Sequence, residues 1–212
     1  MSKYFSYFPT TLYKSSDSGN DLNLVTNLMT RFKMQESFKT NSAAYTTYSI
    51  KDGDTPEILA HKFYGDVEYH WVILTYNNLM DPQFNWPLEE RTLNRYINSK
   101  YEPLADTANN ETGLVWSRTN IHSYYKELTT STSKNFSHTQ IIQIDSPTYA
   151  NTVTATNTIT LTSGDSVTKS VVKGSKTYFQ YEYGVNESLR TIRMLKPEFI
   201  FALRDELRRT LS

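Results

Sequence analysis

The 212-residue chain contains no cysteine. This absence excludes disulfide bonds, thiolate metal sites and cysteine nucleophiles. An excess of charge of one sign is also missing, because 22 Lys and Arg side chains balance 22 Asp and Glu side chains. A neutral chain lacks the positive field that attracts phosphate backbones, so the composition argues against nucleic acid as the main partner.

Long hydrophobic runs are absent as well. No apolar stretch approaches the roughly 18 residues that a membrane-spanning helix needs. The first residues include several aromatic side chains but no apolar run followed by a small-residue cleavage site, so we expect no signal peptide. The sequence therefore predicts a protein that is made in a cytosol-like compartment and has no membrane partner.

Motifs for catalysis and cofactor binding are missing too. The sequence contains no GxGxxG, GxxxxGK(S/T), GxSxG or HExxH pattern. Glu57 and His61 lie four residues apart on a predicted helix, but no third metal ligand follows at a recognisable spacing. Glu89 and Glu90 fall in the first turn of another predicted helix, where carboxylates stabilise the helix dipole. We therefore predict no enzymatic activity, no metal and no cofactor.

Aromatic side chains are abundant. Sixteen Tyr and ten Phe raise the aromatic share to 14%, while the hydrophobic fraction is only 38%. Aromatic residues are enriched at the buried centres of protein interfaces. The composition is typical of a protein that completes its burial against neighbouring proteins.

The apolar pattern predicts an α+β fold that begins with a helical segment. Residues 21–38 place apolar side chains at helical spacing, and Asp21 is the expected N-cap. The apolar positions in this pattern are Val25, Leu28, Met29 and Phe32. The sequence therefore predicts an amphipathic helix in this region.

A strand and two helices are predicted next. Tyr48–Ile50 is typical of a short strand. Thr55 is placed to cap a helix that begins at Pro56, and Gly65 is placed to end it in a left-handed conformation. A second helix is predicted to begin at Asp66.

Later segments alternate between helix and strand patterns. The predicted elements are a helix ending near Tyr101, strands at Leu114–Trp116, Ile121–Tyr125, Gln140–Ile144 and within the threonine-rich run Asn151–Thr162, an extended segment from Lys176, a strand at Thr191–Leu195 and a C-terminal helix from Pro197. The whole pattern predicts four regions. They are an N-terminal arm and amphipathic helix over 1–44, a β-α-α unit with an extra helix over 45–101, a β-rich variable region over 102–182, and a C-terminal strand and helix over 183–212.

The segment from Tyr48 to Asn78 resembles the lysin motif (LysM). The resemblance rests on a strand with an aromatic residue, the Gly53-Asp54-Thr55 turn, a helix ending in Tyr64-Gly65, and a second helix with Trp71. LysM modules bind polymers of N-acetylglucosamine, and their pattern continues with a second strand. No strand pattern follows directly after Asn78.

A wider resemblance covers residues 45–101 and 178–212, and the first 44 residues by pattern only. The ordered segments are the aromatic N-terminus, the amphipathic helix, Tyr48–Lys51, Pro56–Ala60, Phe63–Gly65, Tyr69–Leu74, Trp86, Ile97–Tyr101, Asn186–Arg193 and a final helix. In this order the sequence resembles the LysM-containing baseplate wedge protein of contractile-tailed bacteriophages.

This resemblance implies a structural protein without catalysis. It implies a subunit of the virion's tail baseplate that is assembled in the host cytoplasm. The implied partners are other wedge proteins and neighbouring wedges around the tail hub, with several copies per virion, commonly six. A LysM-type module that binds peptidoglycan is the alternative.

Two sets of residues follow as candidates. Aromatic anchors near the N-terminus and apolar positions on the C-terminal helix are the predicted partner interface, namely Tyr4, Phe5, Tyr7, Phe8, Phe199, Leu203 and Leu207. The predicted core of the LysM-like unit comprises Leu59, Phe63, Trp71 and Leu74.

Overall fold

A computed structural model describes residues 4–14, 22–30, 32, 34, 36–79, 81 and 85–211. These residues form a mixed α+β fold. The strands are β1 (Thr10–Lys14), β2 (Leu22–Thr26), β3 (Tyr45–Ser49), β4 (Ile121–Thr132), β5 (Ser137–Ile144), β6 (Ala155–Thr160), β7 (Ser166–Thr177) and β8 (Thr191–Leu195). The helices are α1 (Glu36–Thr40), α2 (Pro56–Tyr64), α3 (His70–Tyr76), α4 (Glu90–Tyr101), α5 (Gly113–Thr119), α6 (Ser146–Asn151), α7 (Tyr178–Ser188) and α8 (Ile200–Leu211).

The residue contacts divide the chain into two compact units. Unit 1 comprises 1–89 together with 187–212, and unit 2 comprises 90–186. This division is coarser than the four regions expected from the sequence, whose boundaries stay a prediction. Among the described residues, no helix is long and apolar enough to cross a membrane.

Unit 1 contains a two-stranded sheet whose strands are far apart in sequence. Strand β3 pairs with β8 in antiparallel register, so that Tyr48 lies opposite Ile192. One face of β8 is buried, because Ile192 and Met194 pack with Leu59 and other residues of the helices. The predicted strand at Thr191–Leu195 is confirmed.

The helices α2 and α3 follow from local capping. The Thr55 hydroxyl accepts a hydrogen bond from the Ile58 backbone N–H at 3.3 Å, and Pro56 occupies the first helical turn. Gly65 ends α2 with φ of 76°, a conformation that costs glycine little. A 3-10 turn that Asp66 caps then leads into α3, so both predicted helices are confirmed.

The predicted amphipathic helix over 21–38 is wrong for residues 22–26. These residues form β2, which pairs with β1 in a two-stranded ribbon. The helical pattern used Leu28 and Met29, but they are 63% and 90% exposed, so no core face holds a helix in place. Among the residues of this range that the structure describes, helix is present only in the short α1. The expected cap, Asp21, lies outside the described residues.

Unit 2 contains a four-stranded antiparallel sheet with the order β5-β4-β7-β6. The predicted strands at Ile121–Tyr125 and Gln140–Ile144 are confirmed within β4 and β5. The threonine-rich run forms a strand over Ala155–Thr160. Its beginning, Asn151, is instead the last residue of α6.

Two strand predictions in unit 2 are wrong. Leu114–Trp116 lies in α5, because the Thr112 hydroxyl accepts a hydrogen bond from the Val115 N–H and starts a helix there. The extended segment predicted from Lys176 becomes α7 from Tyr178 onward. Packing overrides the strand preference of its aromatic residues, since Tyr178 contacts the rings of Trp116 and Tyr101.

Candidate functional site

The N-terminal aromatic residues contact helix α3 through Tyr4 and helix α8 through Tyr7. A 3-10 turn over Tyr4–Tyr7 places the Tyr4 ring against Trp71, stacked with ring centroids 5.1 Å apart. Phe8 is buried in the main core of unit 1, whereas Phe5 is 56% exposed. The guanidinium of Arg208 lies 5.3 Å from the centroid of the half-buried Tyr7 ring. Of the four predicted anchors, Phe5 therefore offers the largest exposed fraction.

The C-terminal helix α8 directs its predicted interface leucines inward. Leu203 and Leu207 are fully buried in the core that also contains Phe8. This placement differs from a partner interface, because the leucine stripe of an amphipathic helix packs against the nearest apolar surface, which here belongs to the chain itself. Phe199 is half-buried beside the same core, and the adjacent Phe201 is 61% exposed.

The predicted LysM-like core residues lie in two neighbouring clusters. Leu59 is fully buried with Ile73 and the β8 side chains, and Phe63 packs at the edge of that cluster. Trp71 is 4% exposed and belongs to the cluster that contains α8. Leu74 is half-buried on the same helix as Trp71.

A cavity of about 470 Å³ lies between the N-terminal segment and α3. Its apolar lining includes Tyr4, Phe5, Phe8, Leu28, Trp71 and Leu74. Polar side chains at this cavity include Glu68 and His70. The described part of this lining suits apolar groups.

A carboxamide joins the end of α3 to β8. The Asn77 side chain donates to the carbonyls of Ile73 and Arg193 at 2.9 and 2.8 Å. Its oxygen accepts a hydrogen bond from the Arg193 N–H at 2.8 Å. Asn77 therefore covers part of the edge of β8 that β3 does not use. No local sequence pattern indicates this contact, because the strand partner of Asn77 lies 116 residues away.

An arginine joins β8 to the turn after β3. Arg190 pairs with Glu187 at 2.6 Å and with Asp52 at 2.8 Å, and donates to the Ile50 carbonyl at 3.2 Å. The hydrogen bond to Glu187 is the main cause that raises the pKa of Arg190. These contacts stabilise the junction between the two strands of the sheet.

Unit 2 contains a buried carboxylate with two donors. Glu182 is 6% exposed and accepts hydrogen bonds from the Tyr101 hydroxyl and the Lys100 ammonium, both at 2.7 Å. Burial, followed by the hydrogen bond to Glu182, raises the pKa of Tyr101. Burial alone would lower the pKa of Lys100, but its interactions with Glu182 raise it. The arrangement satisfies the charge of Glu182 and is typical of a structural ion pair.

Metal-ligating side chains do not cluster in the part of the chain that the structure describes. No group of three or more His, Asp or Glu side chains there could hold a metal ion. Glu57 and His61 are both exposed on α2.

The comparisons with known proteins agree with the resemblance to wedge proteins. The family model described as Base plate wedge protein 53 matches residues 3–111. Baseplate wedge protein gp53 of Enterobacteria phage T4 is 33% identical over 70 residues, which are 32% of this chain and 36% of that protein. The chain thus spans about a third of the length of that curated relative. Because the family model covers half of the chain, the protein belongs to the Base plate wedge protein 53 family of phage tail structural proteins.

Proposed function

We propose that this chain is a structural subunit that joins the components of a phage baseplate wedge to each other and to neighbouring wedges around the tail hub. The family match over residues 3–111 carries this proposal. The proposed partners are other baseplate proteins, with several copies of the chain per virion, commonly six. The protein would be assembled in the host cytoplasm and remain in the virion.

The exposed surface of unit 1 supports a connecting role. Large apolar side chains are exposed at several separate places, among them Phe5, Leu24, Met29 and Phe201. Where such side chains form a contiguous patch, the patch is typical of a site that binds another protein. No side-chain constellation described above suggests catalysis.

We further propose that β3, α2, α3 and β8 form a LysM-like unit with a long insertion. The supporting observation is that β3 pairs antiparallel with β8 while α2 and α3 pack against both strands. The second strand of the motif would then come from the end of the chain, after an insertion that includes the whole of unit 2. This arrangement accounts for the missing strand pattern after Asn78.

Glycan binding is the alternative function, because LysM modules bind polymers of N-acetylglucosamine. Two outcomes separate it from the structural role. In a structural subunit the LysM-like unit serves as a scaffold, and Trp71 packs in the core. In a glycan-binding module an exposed groove beside the helices would bind N-acetylglucosamine polymers.

The experiment compares incorporation into baseplates with binding to a glycan. A tagged copy of the chain is expressed in cells infected by a phage whose own copy is disabled, and purified baseplates are quantified by mass spectrometry. The same purified protein is sedimented with purified peptidoglycan. We expect a fixed ratio of the chain to other baseplate proteins and no saturable sedimentation. Saturable binding to peptidoglycan without incorporation would replace the structural role with the glycan-binding one.

A further inference from the structure

The ribbon formed by β1 and β2 is exposed along its whole length. All ten residues of the two strands are exposed, and no third strand joins them among the described residues. An isolated two-stranded ribbon is only marginally stable in water, because it has no core to cover its apolar side chains. The ribbon is therefore an element that lacks a covering surface.

One face of the ribbon carries leucines. In the antiparallel register Leu12 lies opposite Leu24, and Lys14 lies opposite Leu22. The exposed fraction is 64% for Leu12, 68% for Leu24 and 59% for Leu22. Since alternate residues of a strand share a face, these side chains form one apolar strip. We call it the leucine face.

The backbone N–H and C=O groups of Leu22 and Leu24 are not used in pairing with β1. The Asn27 N–H donates to the Pro9 carbonyl at 2.8 Å, which marks this pair as a hydrogen-bonded position of the ladder, although Pro9 has no N–H to return the bond. Such pairs alternate with non-bonded pairs in antiparallel strands. The Leu12–Leu24 pair is therefore non-bonded, and the N–H and C=O groups of Leu22 and Leu24 face outward along the free edge of β2.

The two edges of the ribbon differ in charge. The edge of β1 includes Lys14, and lysine on an edge strand disfavours pairing with another strand. Residues 22–30, which include β2, contain no charged residue and no proline. Of the two edges, that of β2 therefore lacks these common protections against strand addition.

We propose that the edge of β2 binds an extended, uncharged strand of another baseplate protein. The added strand hydrogen-bonds to the outward backbone groups of Leu22, Leu24 and Thr26, and its alternate aliphatic side chains extend the leucine face. Aliphatic side chains at these positions would cover the exposed side chains of Leu22 and Leu24, which charged side chains would not do, so the proposed strand is uncharged.

A strand of an unlike protein fits better than a second copy of this chain. Pairing between two β2 edges would be two-fold symmetric and would close on itself. Such a pair would consume the free edge without linking the chain to other wedge components. The inference rests on the proposed structural function, which requires contacts with unlike proteins.

Hydrogen exchange at single residues tests this inference directly. The rates at Leu22, Leu24 and Thr26 are compared between the purified full-length chain and the chain in isolated baseplates. We expect exchange to be slower in the baseplate by about a hundredfold or more, because strand addition protects outward N–H groups. The amides of Asn23 and Val25, which face β1, are the internal reference. Equal rates at Leu22, Leu24 and Thr26 in an incorporated chain would overturn the inference and leave the proposed function intact.

A pair of lysine variants tests the edge itself. Leu24→Lys adds a charge to the leucine face, whereas Asn23→Lys adds the same charge to the opposite face of the same strand. We expect Leu24→Lys to reduce incorporation into baseplates about tenfold or more and Asn23→Lys to change it little. Both variants should keep the thermal midpoint of the wild-type chain, since neither position is buried.

The remaining outcomes are also decisive. Equal incorporation of both variants would overturn the inference. A dimer of the purified chain in sedimentation velocity, with the same amides protected, would assign the edge to a second copy and overturn the unlike partner. If the wild-type chain is absent from baseplates, the proposed function fails and this inference fails with it.

Discussion

At the scale of single residues, Trp71 connects the N-terminal segment to the core of unit 1. Its indole is 4% exposed and stacks on Tyr4. Replacing a large buried aromatic residue with alanine removes many contacts and leaves a cavity. The position is therefore sensitive to truncation.

We expect Trp71→Ala to lower the free energy of unfolding by about 3–5 kcal/mol. Urea unfolding followed by circular dichroism measures the change, with Phe201→Ala as the exposed aromatic control. If Trp71→Ala left the stability unchanged and removed binding to a glycan, Trp71 would be a stacking platform for a sugar and the packing role would be rejected.

The Tyr101 hydroxyl offers a test that depends on pH. The pKa values of Tyr101 and Lys100 are raised in the folded chain, so both groups hold their protons more tightly than in the unfolded chain. The interactions that raise these pKa values contribute fully to the free energy of unfolding below the ordinary pKa values of about 10. This contribution is lost as the pH rises through the raised pKa values of the folded chain.

We expect Tyr101→Phe to cost about 1–3 kcal/mol at neutral pH, because a hydrogen bond to a charged group is lost. The decline in stability above about pH 10 should also be shallower than in the wild type, since the unfolded phenol no longer ionises. Thermal unfolding between neutral pH and pH 11 measures both effects. Tyr183→Phe is the matched control, because Tyr183 is exposed. An unchanged slope above pH 10 would contradict the prediction.

At the scale of elements, the Asn77 side chain adds hydrogen bonds between the end of α3 and strand β8 to the packing of Ile73 on the same strand. Asn77 makes three hydrogen bonds to backbone groups, two of them to Arg193. The Asn77 carboxamide donates to and accepts from the Arg193 backbone, as the backbone of a third strand would. Removing it leaves backbone groups of the sheet without their protein partners.

We expect Asn77→Ala to reduce the free energy of unfolding by about 1–3 kcal/mol. His61→Ala is the control, because His61 is exposed on α2 and alanine favours helix. Chemical denaturation of both variants measures the difference. Equal stability of the two variants would show that Asn77 does not hold α3 to β8.

The elements also show where sequence patterns reach their limit. The caps Thr55 and Gly65 predicted α2 correctly, because capping depends on residues within one turn of the helix end. The pattern over 21–38 predicted a helix, but residues 22–26 form β2. Helical spacing of apolar residues stabilises a helix only where a core covers them, and the pattern does not contain that information.

At the scale of the whole molecule, unit 2 is a contiguous segment in which the rings of Tyr101, Trp116 and Tyr178 pack together. Leu93, Ile97 and Tyr101 on α4 are buried, and Ser117 on α5 is fully buried. The start of α5 packs closely on α4, because a Cβ atom at Gly113 would overlap the Asn98 carbonyl. A segment with a continuous chain and a core can fold alone.

We expect the fragment 90–186 to unfold cooperatively in urea when followed by the fluorescence of Trp116. Within it, Leu93→Ala should cost about 2–5 kcal/mol and the exposed Val115→Ala less than about 0.5 kcal/mol. A fragment without a cooperative transition would contradict the prediction.

For the candidate interface, the sequence predicted the class of protein better than it predicted the individual interface residues. The aromatic composition indicated a protein that binds neighbours, and the order of segments indicated the wedge family that the family model matches. The individual residues were harder to predict. Leu203 and Leu207 are buried within unit 1, while Leu22 and Leu24 of the leucine face lie in a segment predicted as helix. Burial depends on what lies opposite a side chain, which a single sequence does not state.

The sequence by itself determined the elements that depend on neighbouring residues, namely the capped helices, the turn after β3, most strands of unit 2 and the resemblance to wedge proteins. Only the tertiary structure decided that β3 pairs with β8, that β2 pairs with β1 and that the segment from Tyr178 is helical. Caps and turns are stabilised by contacts within a few residues. Strand pairing and burial are stabilised by residues far along the chain, so they follow from the fold as a whole.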